Sequence, residues 1–386
     1  MSAFPSPLSP ESRPLTDEIT LNETLNCLLE NLPLEMTGAY DRQQLFAVLL
    51  KAASDRESIE QASKNLSGVP QGNTQRYHLE KFESMPSVQA QLNQSLQGRL
   101  PRRFRKGKHR LAIDLHLLPY YGQASSAEAP YIIRSVAKSG TTQFFAYATL
   151  YVIRRHQRFT LAIHAVHRQD TWVAVLTFLL AHVGGLGFRI HRLYLDRGFY
   201  SVPVIRWLKA LNIPFLMPAI IRGKQGGTRA LCQGRTSYKS TYHLRSNTYG
   251  TVDCLMSIVC TYRKGRRQRH GIQYSLYVSH RINMSPHAVQ ADYRHRFGIE
   301  SSYRLKNLCR IRSTTKNPVL RLLFVTLAFI IVNVWIFLLW QYLRIARPGG
   351  SLVFRQCFPL KMMLSFLRQA IERRLPTIRH VVIPSS

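Results

Sequence analysis

The chain has 386 residues, enough to bury a sizeable core in one large domain or in two to three smaller ones. Its 53 lysines and arginines against 20 aspartates and glutamates give a net charge of +33, which attracts phosphate polymers or anionic membrane surfaces. The six cysteines form no C-x-x-C pair and no zinc-finger spacing, which argues against a zinc site or a disulfide framework. A reducing cytoplasm fits this composition.

The positive charge is confined to the last three quarters of the chain. Residues 1–100 contain 12 acids and 8 bases, whereas residues 101–386 contain 8 acids and 45 bases. Carboxylates this scarce in so basic a region are candidates for special tasks. The eight are Asp114, Glu128, Asp170, Asp196, Asp253, Asp292, Glu300 and Glu372.

Residues 1–15 are rich in proline and serine, which predicts a disordered tail without the features of a secretory signal. Helical patterns then fill a predicted domain over 16–100, with Asp41 as the N-cap of a helix that runs through Ala53. Short helices joined by a tight turn suit a helix-turn-helix DNA-binding domain. They suit a helical bundle used for packing or dimerisation equally well.

A cationic run follows at 101–110, and it reads as a linker that contacts phosphates. A solvated charge run without specific contacts is the alternative. The predicted DNA-binding residues here are Arg102, Arg103, Arg105, Lys106 and Lys108.

Beyond the linker, the pattern changes to strands rich in β-branched and aromatic residues. The predicted order is strands at 111–118, 144–153 and 158–166, a helix at 170–182, a strand at 190–195, a helix at 202–211 and a strand at 214–217. Three strands followed by helix, strand, helix and strand is the chain order of a ribonuclease-H-like α/β domain.

Residues 222–284 break this rhythm and predict a β-rich insertion, with strands at 252–262 and 274–280. Ser285 as N-cap and Pro286 at the first helical position then predict a helix that runs to about Arg310. We therefore assign the ribonuclease-H-like domain, the candidate catalytic domain of the residues considered below, to 111–221 together with 285–345.

Residues 322–340 are almost entirely apolar and long enough to span a membrane. Basic residues flank the segment on both sides, so it lacks the asymmetry of a membrane span, and we predict a buried or interface helix. The remaining residues, 346–386, form a predicted basic C-terminal segment.

Two aspartates occupy positions suited to chemistry. Asp114 lies in the middle of an apolar strand, where a carboxylate needs a metal or an arginine as a partner. Asp196 follows a strand, at the end where open α/β sheets collect functional groups. The alternatives are an ordinary salt bridge for Asp114 and a simple turn residue for Asp196.

On the helix predicted from Ser285, helical periodicity places Tyr293, Arg296 and Glu300 on one stripe. A tyrosine, an arginine and one carboxylate on a single face look like a phosphate-handling surface. The alternative is an ordinary helix pair between Glu300 and Arg304.

These residues resemble the insertion-sequence DDE transposases, specifically the group marked by a Y-x2-R-x3-E signature, here Tyr293-x2-Arg296-x3-Glu300. The resemblance covers about residues 111–310. It implies a ribonuclease-H-like mixed sheet with flanking helices and a β-rich insertion, preceded here by an all-helical N-terminal domain.

The resemblance further implies a catalytic mechanism. Asp114, Asp196 and Glu300 would hold two Mg²⁺ ions about 4 Å apart, with Mn²⁺ as a substitute. Arg296 would neutralise the scissile phosphate and Tyr293 would orient it. The enzyme would bind the terminal inverted repeats of its mobile element, then cut and transfer DNA strands into target DNA.

The sequence departs from this group in two ways. A lysine often stands seven residues after the glutamate, but Asn307 occupies that position and Lys306 lies one residue earlier. Arg304 and Arg310 are therefore the expected phosphate contacts. The insertion also lacks a tryptophan, which puts a hairpin intermediate in doubt and leaves its tyrosines (Tyr238, Tyr242, Tyr249) as candidates for base stacking.

We expect a homodimer or larger assembly, because two DNA ends must be brought together, and a cytoplasmic, nucleoid-associated protein without a membrane partner. Two other functions stay open: a catalytically inactive DNA-binding relative and a basic membrane-associated protein.

Overall fold

The structure is a computed structural model, and it describes residues 14–82, 84–105, 107–154, 157–263, 271–297, 305–348 and 350–378. The chain divides into two compact units, Met1–Phe104 with Tyr303–Ser386 and Arg105–Ser302. We call them the helical unit and the sheet unit. The division after Phe104 falls inside the predicted linker.

The helical unit combines the start and the end of the chain. Its α-helices are α1 (Asp17–Leu29), α2 (Arg42–Asp55), α3 (Ile59–Lys64), α4 (Gly72–Glu80), α5 (Met85–Gly98), α9 (Pro318–Tyr342) and α10 (Leu360–Arg374). A short hairpin of β10 (Arg344–Arg347) and β11 (Gly350–Val353) follows α9.

Asp41 is the N-cap of α2, as the sequence predicts. Its carboxylate accepts a hydrogen bond of 2.8 Å from the backbone N–H of Gln44, and the Gln44 side chain accepts one of 2.9 Å from the backbone N–H of Asp41. This reciprocal capping box satisfies two backbone donors that the first turn of a helix leaves without partners.

The apolar helix α9 is long and hydrophobic enough to cross a membrane, but 94% of its most apolar stretch is buried inside the protein. It packs against α1, α5 and α10. Asn333 is buried in its centre and donates a hydrogen bond of 2.9 Å to the backbone carbonyl of Leu96 on α5. These contacts are those of a core helix, and they group α9 with the helical unit, whereas the predicted boundaries placed it with the catalytic domain.

The sheet unit contains a nine-stranded mixed sheet. Its strands are β1 (Lys108–Pro119), β2 (Ile132–Lys138), β3 (Thr141–Arg154), β4 (Gln157–Ala165), β5 (Arg189–Leu195), β6 (Phe215–Pro218), β7 (Tyr238–Ser246), β8 (Gly250–Arg263) and β9 (Gly271–His280). Its α-helices are α6 (Trp172–Gly185), α7 (Val202–Ala210) and α8 (Pro286–Tyr293).

The strand order is β2-β3-β1-β5-β6-β9-β8-β7, with β4 also paired to β3. The pairs β1–β5 and β5–β6 are parallel, and the others are antiparallel. The centre of the sheet therefore consists of parallel strands whose carboxyl ends meet at one edge.

The predicted β-rich insertion extends this sheet, because β9 pairs with β6 and carries β8 and β7 beyond it. The strands β2 and β7 were not predicted from the sequence. Both are edge strands: exposure alternates along β7, whereas the last three residues of β2 are all exposed.

The contact between α9 and α5 generates a stability prediction. Asn333→Asp keeps the size of the side chain but replaces its N–H donor with a carboxylate that faces the Leu96 carbonyl. We expect the free energy of unfolding to fall by about 2 kcal/mol or more, because a buried acceptor loses its donor. Asn307→Asp, at an exposed position, should change it little. Equal urea-unfolding curves for Asn333→Asp and the wild type would contradict the packing of α9.

Candidate active site

The register of two parallel strands brings the two predicted catalytic aspartates together. Ile113 of β1 lies beside Leu195 of β5, so Asp114 and Asp196 follow one residue later on neighbouring strands. Asp114 lies inside β1, level with the carboxyl end of β5 from which Asp196 follows, and this end of a strand is where open α/β folds place their functional groups.

The guanidinium of Arg296 forms ion pairs with both aspartates. Its Nη2 atom is 2.7 Å from Oδ1 of Asp114 and 3.5 Å from Oδ1 of Asp196. The side chains of Asp114 and Arg296 are 14% and 11% exposed, whereas that of Asp196 is 41% exposed. One cation therefore lies within reach of both carboxylates, and Asp196 opens the site to solvent.

Residues 298–304 of the predicted helix from 285 to 310 lie outside the described part of the chain, and the structure departs from the prediction directly after Tyr293. The α-helix α8 ends there, and a short 3-10 helix continues from Arg294 to Phe297. With 3.0 residues per turn, side chains three positions apart point the same way. The 3-10 turn therefore places the side chain of Arg296 on the same side of the segment as that of Tyr293, and both contact the sheet.

Tyr293 holds this segment on the sheet. Its hydroxyl donates a hydrogen bond of 3.0 Å to the backbone carbonyl of Leu195, the residue before Asp196. Burial raises the pKa of Tyr293, so the hydroxyl keeps its proton and remains a donor. In this structure Tyr293 supports the strand end that carries Asp196, and its predicted contact with the scissile phosphate stays a prediction.

Burial and the guanidinium of Arg296 shift the pKa of Asp114 in opposite directions. Burial raises the pKa of this carboxyl group, the guanidinium of Arg296 lowers it, and the nearby Asp196 raises it, with a net rise. A backbone N–H of Leu115 also donates to Asp114, at 2.9 Å. The site therefore needs positive charge close to Asp114 to keep it ionised.

Asp196 has the environment of a functional group more than that of a turn residue. It precedes a short 3-10 helix at Arg197–Phe199, yet its side chain makes no capping hydrogen bond. The turn does not use the carboxylate, which leaves it available to Arg296 or to a metal ion.

Asp292 is an anchor that the sequence analysis named only among the scarce carboxylates. It is 4% exposed and binds Arg192, and it accepts a hydrogen bond of 2.9 Å from the hydroxyl of Tyr194. Arg110 of β1 lies 3.4 Å from its other oxygen. This buried cluster fixes the end of α8 to β1 and β5, next to Tyr293.

The chemistry of Asp114 and Asp196 fits a divalent metal, because both are carboxylates that converge on one cationic position. Within the described ranges, no group of three histidine, cysteine, aspartate or glutamate side chains is arranged as a metal site. Glu300, the predicted third carboxylate, lies outside the described residues.

The predicted phosphate contacts are distributed between the two units. Arg105 and Lys108 are exposed in the sheet unit, and Arg102 and Arg310 are exposed in the helical unit. The side chain of Arg103 and the residues Lys106 and Arg304 lie outside the described part of the chain.

Lys306, the lysine one residue from the position usual in the resembling group, is buried in the helical unit. It is 1% exposed, and its Nζ lies 5.2 Å from the ring centroid of Phe329 on α9. Burial, and to a lesser extent Arg310, lower the pKa of Lys306 from the ordinary 10.5 to about 7. Its burial makes it unsuited to an exposed phosphate contact.

The three candidate stacking tyrosines differ in exposure. The hydroxyl of Tyr238 donates to the backbone carbonyl of Leu231 at 2.6 Å, Tyr242 is half-buried, and Tyr249 is 54% exposed at the turn between β7 and β8. Tyr249 is therefore the best placed of the three to meet a base.

A ribonuclease-H-like sheet with one aspartate inside a central strand and a second directly after the neighbouring parallel strand fits the class of proteins that the sequence predicts. The family profile described as a transposase DDE domain matches residues 105–334. The chain therefore belongs to the family of transposase DDE domains, and the family prediction is confirmed.

Among solved structures, the chain is similar to a piggyBac transposase, in the cryo-EM structure of its synaptic complex with hairpin DNA. The TM-score is 0.53 at 13% sequence identity, with 94% of this chain and 80% of that chain covered. At this identity the likeness concerns the fold, and it confirms the predicted fold class. No curated protein matches the chain.

The buried cluster at Asp292 generates a prediction. Asp292→Asn removes the charge that faces Arg192, and we expect a loss of about 3 kcal/mol in the free energy of unfolding because the arginine is left buried without its counter-ion. Asp253→Asn is the matched control, since Asp253 pairs with His243 at the surface and its removal should cost under about 1 kcal/mol. Similar losses for both variants, measured by urea unfolding, would refute the anchoring role.

Lys306 generates a pH prediction. Its folded-state pKa of about 7 lies below the ordinary 10.5, so the unfolded state binds more protons between these values and stability rises with pH across that window. Lys306→Met removes this dependence and should stabilise the protein most near neutral and acidic pH, with a gain that shrinks toward about pH 10. Lys316→Met, at an exposed position, is the control. A gain that does not change with pH would contradict the assignment.

Proposed function

We propose that this protein is an active transposase that cuts the ends of its mobile element and joins them to target DNA, with divalent metal ions bound by Asp114, Asp196 and Glu300. The observation that carries the proposal is the convergence of Asp114 and Asp196 on the single nitrogen Nη2 of Arg296. The family supports phosphoryl-transfer chemistry on DNA.

The third carboxylate rests on the sequence signature alone. Glu300 stands four residues after Arg296, in the spacing Y-x2-R-x3-E. The bound Mg²⁺ or Mn²⁺ ions would supply the activation of the attacking water or 3′-hydroxyl and the stabilisation of the leaving oxygen.

The residues of the chain have distinct tasks in this proposal. Asp114 would be the buried metal ligand, and Asp196 would be the metal ligand that is open to solvent. Arg296 balances the carboxylates in this structure, and its guanidinium is suited to the scissile phosphate once metal ions take over that balance. Tyr293 fixes the strand end beneath the site.

The DNA partner in this proposal is the terminal inverted repeat of the element, followed by target DNA. The charge of +33 favours binding to the DNA backbone. Because two ends must be joined in one reaction, we propose a homodimer or larger assembly, which would act in the cytoplasm at the nucleoid.

A binding-only relative is the second candidate function. The observation that favours it is the position of the Arg296 guanidinium, whose single positive charge lies within 3.5 Å of both Asp114 and Asp196 and partly balances them. Such a protein would bind the same DNA ends and leave them intact.

Cleavage of terminal DNA in Mg²⁺ separates the two functions. Asp196→Asn keeps the size of a half-exposed side chain and removes a metal ligand, so we expect cleavage to fall by about a hundredfold or more while DNA binding without metal is preserved. Asp253→Asn, an exposed aspartate on β8, should cut like the wild type. If Asp196→Asn cuts equally well, the metal site is wrong. If the wild type binds but does not cut, the binding-only function holds.

A further inference from the structure

The helical unit contains a charged cleft of about 740 Å³. Its floor is apolar and consists of Ile59, Leu320 and Phe324, all nearly buried. Four exposed arginines line its walls: Arg56, Arg76, Arg310 and Arg312. Hydroxyl groups of Ser313, Thr314 and Thr315 lie along the same cleft.

The cleft joins two parts of the chain with opposite charge balance. Arg56 and Arg76 come from the first hundred residues, which carry more acids than bases, and Arg310 and Arg312 come from the basic remainder. A backbone hydrogen bond of 3.0 Å from the N–H of Arg312 to the carbonyl of Glu57 docks the two parts. The fold thus gathers four guanidinium groups that the sequence keeps far apart.

The arginines in the cleft have few counter-ions. Among the described residues, no salt bridge involves Arg56, Arg310 or Arg312, and Arg76 lies 4.0 Å from Glu60. In the part of the chain that the structure describes, Glu80 is the one carboxylate residue that lines the cleft. The cleft therefore carries a positive charge that the protein itself leaves largely unneutralised.

The backbone conformation of Arg56 indicates that the guanidinium of its side chain has a role in the cleft. Arg56 ends α2 in the left-handed conformation, with φ 58° and ψ 41°. Glycine adopts this conformation without a steric penalty, whereas an arginine does not. The chain keeps a guanidinium in the cleft at a position where glycine would form a better helix end.

We propose that this cleft binds consecutive backbone phosphates of duplex DNA. The inference rests on the proposed function, since it assigns a second DNA contact in the helical unit. Guanidinium groups bind phosphate through paired hydrogen bonds, serine and threonine hydroxyls add donors, and a low-dielectric floor strengthens both. The cleft is much larger than one phosphate group, and its open rim of arginines suits a continuous polyanion. Such contacts are independent of base sequence.

The test uses the full chain and its terminal DNA, with binding measured at several salt concentrations in the absence of divalent metal. The variants are Arg56→Gly, Arg312→Ala and the double variant. Arg56→Gly suits the left-handed backbone, and Arg312→Ala keeps the backbone hydrogen bond to Glu57, so both should fold. Arg344→Ala, which removes an exposed arginine of β10 outside the cleft, is the matched control.

We expect each cleft variant to bind about tenfold more weakly at moderate salt. The slope of log affinity against log salt should decrease by about 0.9 for each phosphate that a variant no longer neutralises. Arg344→Ala should change neither quantity to this extent. The loss of affinity should be equal for terminal and for unrelated DNA. Wild-type affinity and slope in the double variant, or an equal effect of Arg344→Ala, would overturn the proposal.

Two further arms separate this inference from its alternatives. If pyrophosphate binds the wild type tightly, and the double variant loses that binding but keeps its affinity for DNA, the cleft is a site for a small phosphate ligand and the DNA assignment is wrong. Cleavage in Mg²⁺ reports on the proposed function separately. A wild type that binds through the cleft but does not cut refutes the catalytic proposal alone, and a double variant that binds normally refutes the cleft alone.

Discussion

The site depends on one constraint, the parallel pairing of β1 with β5 in a register that places Ile113 beside Leu195. This register places Asp114, inside β1, next to Asp196, which directly follows β5, so the two residues are brought together without any loop having to reach across. Burial and the neighbouring Asp196 both disfavour the charged form of Asp114, and the guanidinium of Arg296 opposes them only in part, so the pKa of Asp114 stays raised. The same electrostatic demand is what a divalent metal would meet.

A second constraint fixes the position of Arg296. Arg296 can reach the aspartates only if the segment after α8 is fixed against the strands, and two buried contacts achieve this. Asp292 is tied to Arg192 and Tyr194, and Tyr293 donates to the carbonyl of Leu195. A buried ion cluster of this kind contributes little net stability but specifies one arrangement, because every alternative leaves a charge without a partner. The site is thus positioned by polar contacts that lie outside it.

In the proposed function, the two units contribute differently to the handling of DNA. The sheet unit supplies the carboxylates, and the helical unit supplies the arginine cleft around Arg56 and Arg312, above a floor that includes Phe324 of α9. The apolar helix α9 has the composition of a membrane span, yet its burial against α5 makes it the core of the helical unit. The apolar surface of α9 has the composition of a membrane span, and its burial drives the packing of the basic helical unit.

The sequence by itself determined the order of the strands and helices of the sheet unit apart from β2 and β7, the cap at Asp41, the family, and Asp114 and Asp196 as a candidate pair, because these follow from local periodicity, capping chemistry and motif spacing. It did not reveal the edge strands β2 and β7, which have few buried residues and therefore lack the apolar pattern of an inner strand, nor the change from α-helix to 3-10 helix after Tyr293. Only the tertiary structure decided that Asp292 is an anchor and that four distant arginines share one cleft. Partners far apart in the chain leave no periodic signal, and their proximity exists only once the chain has folded.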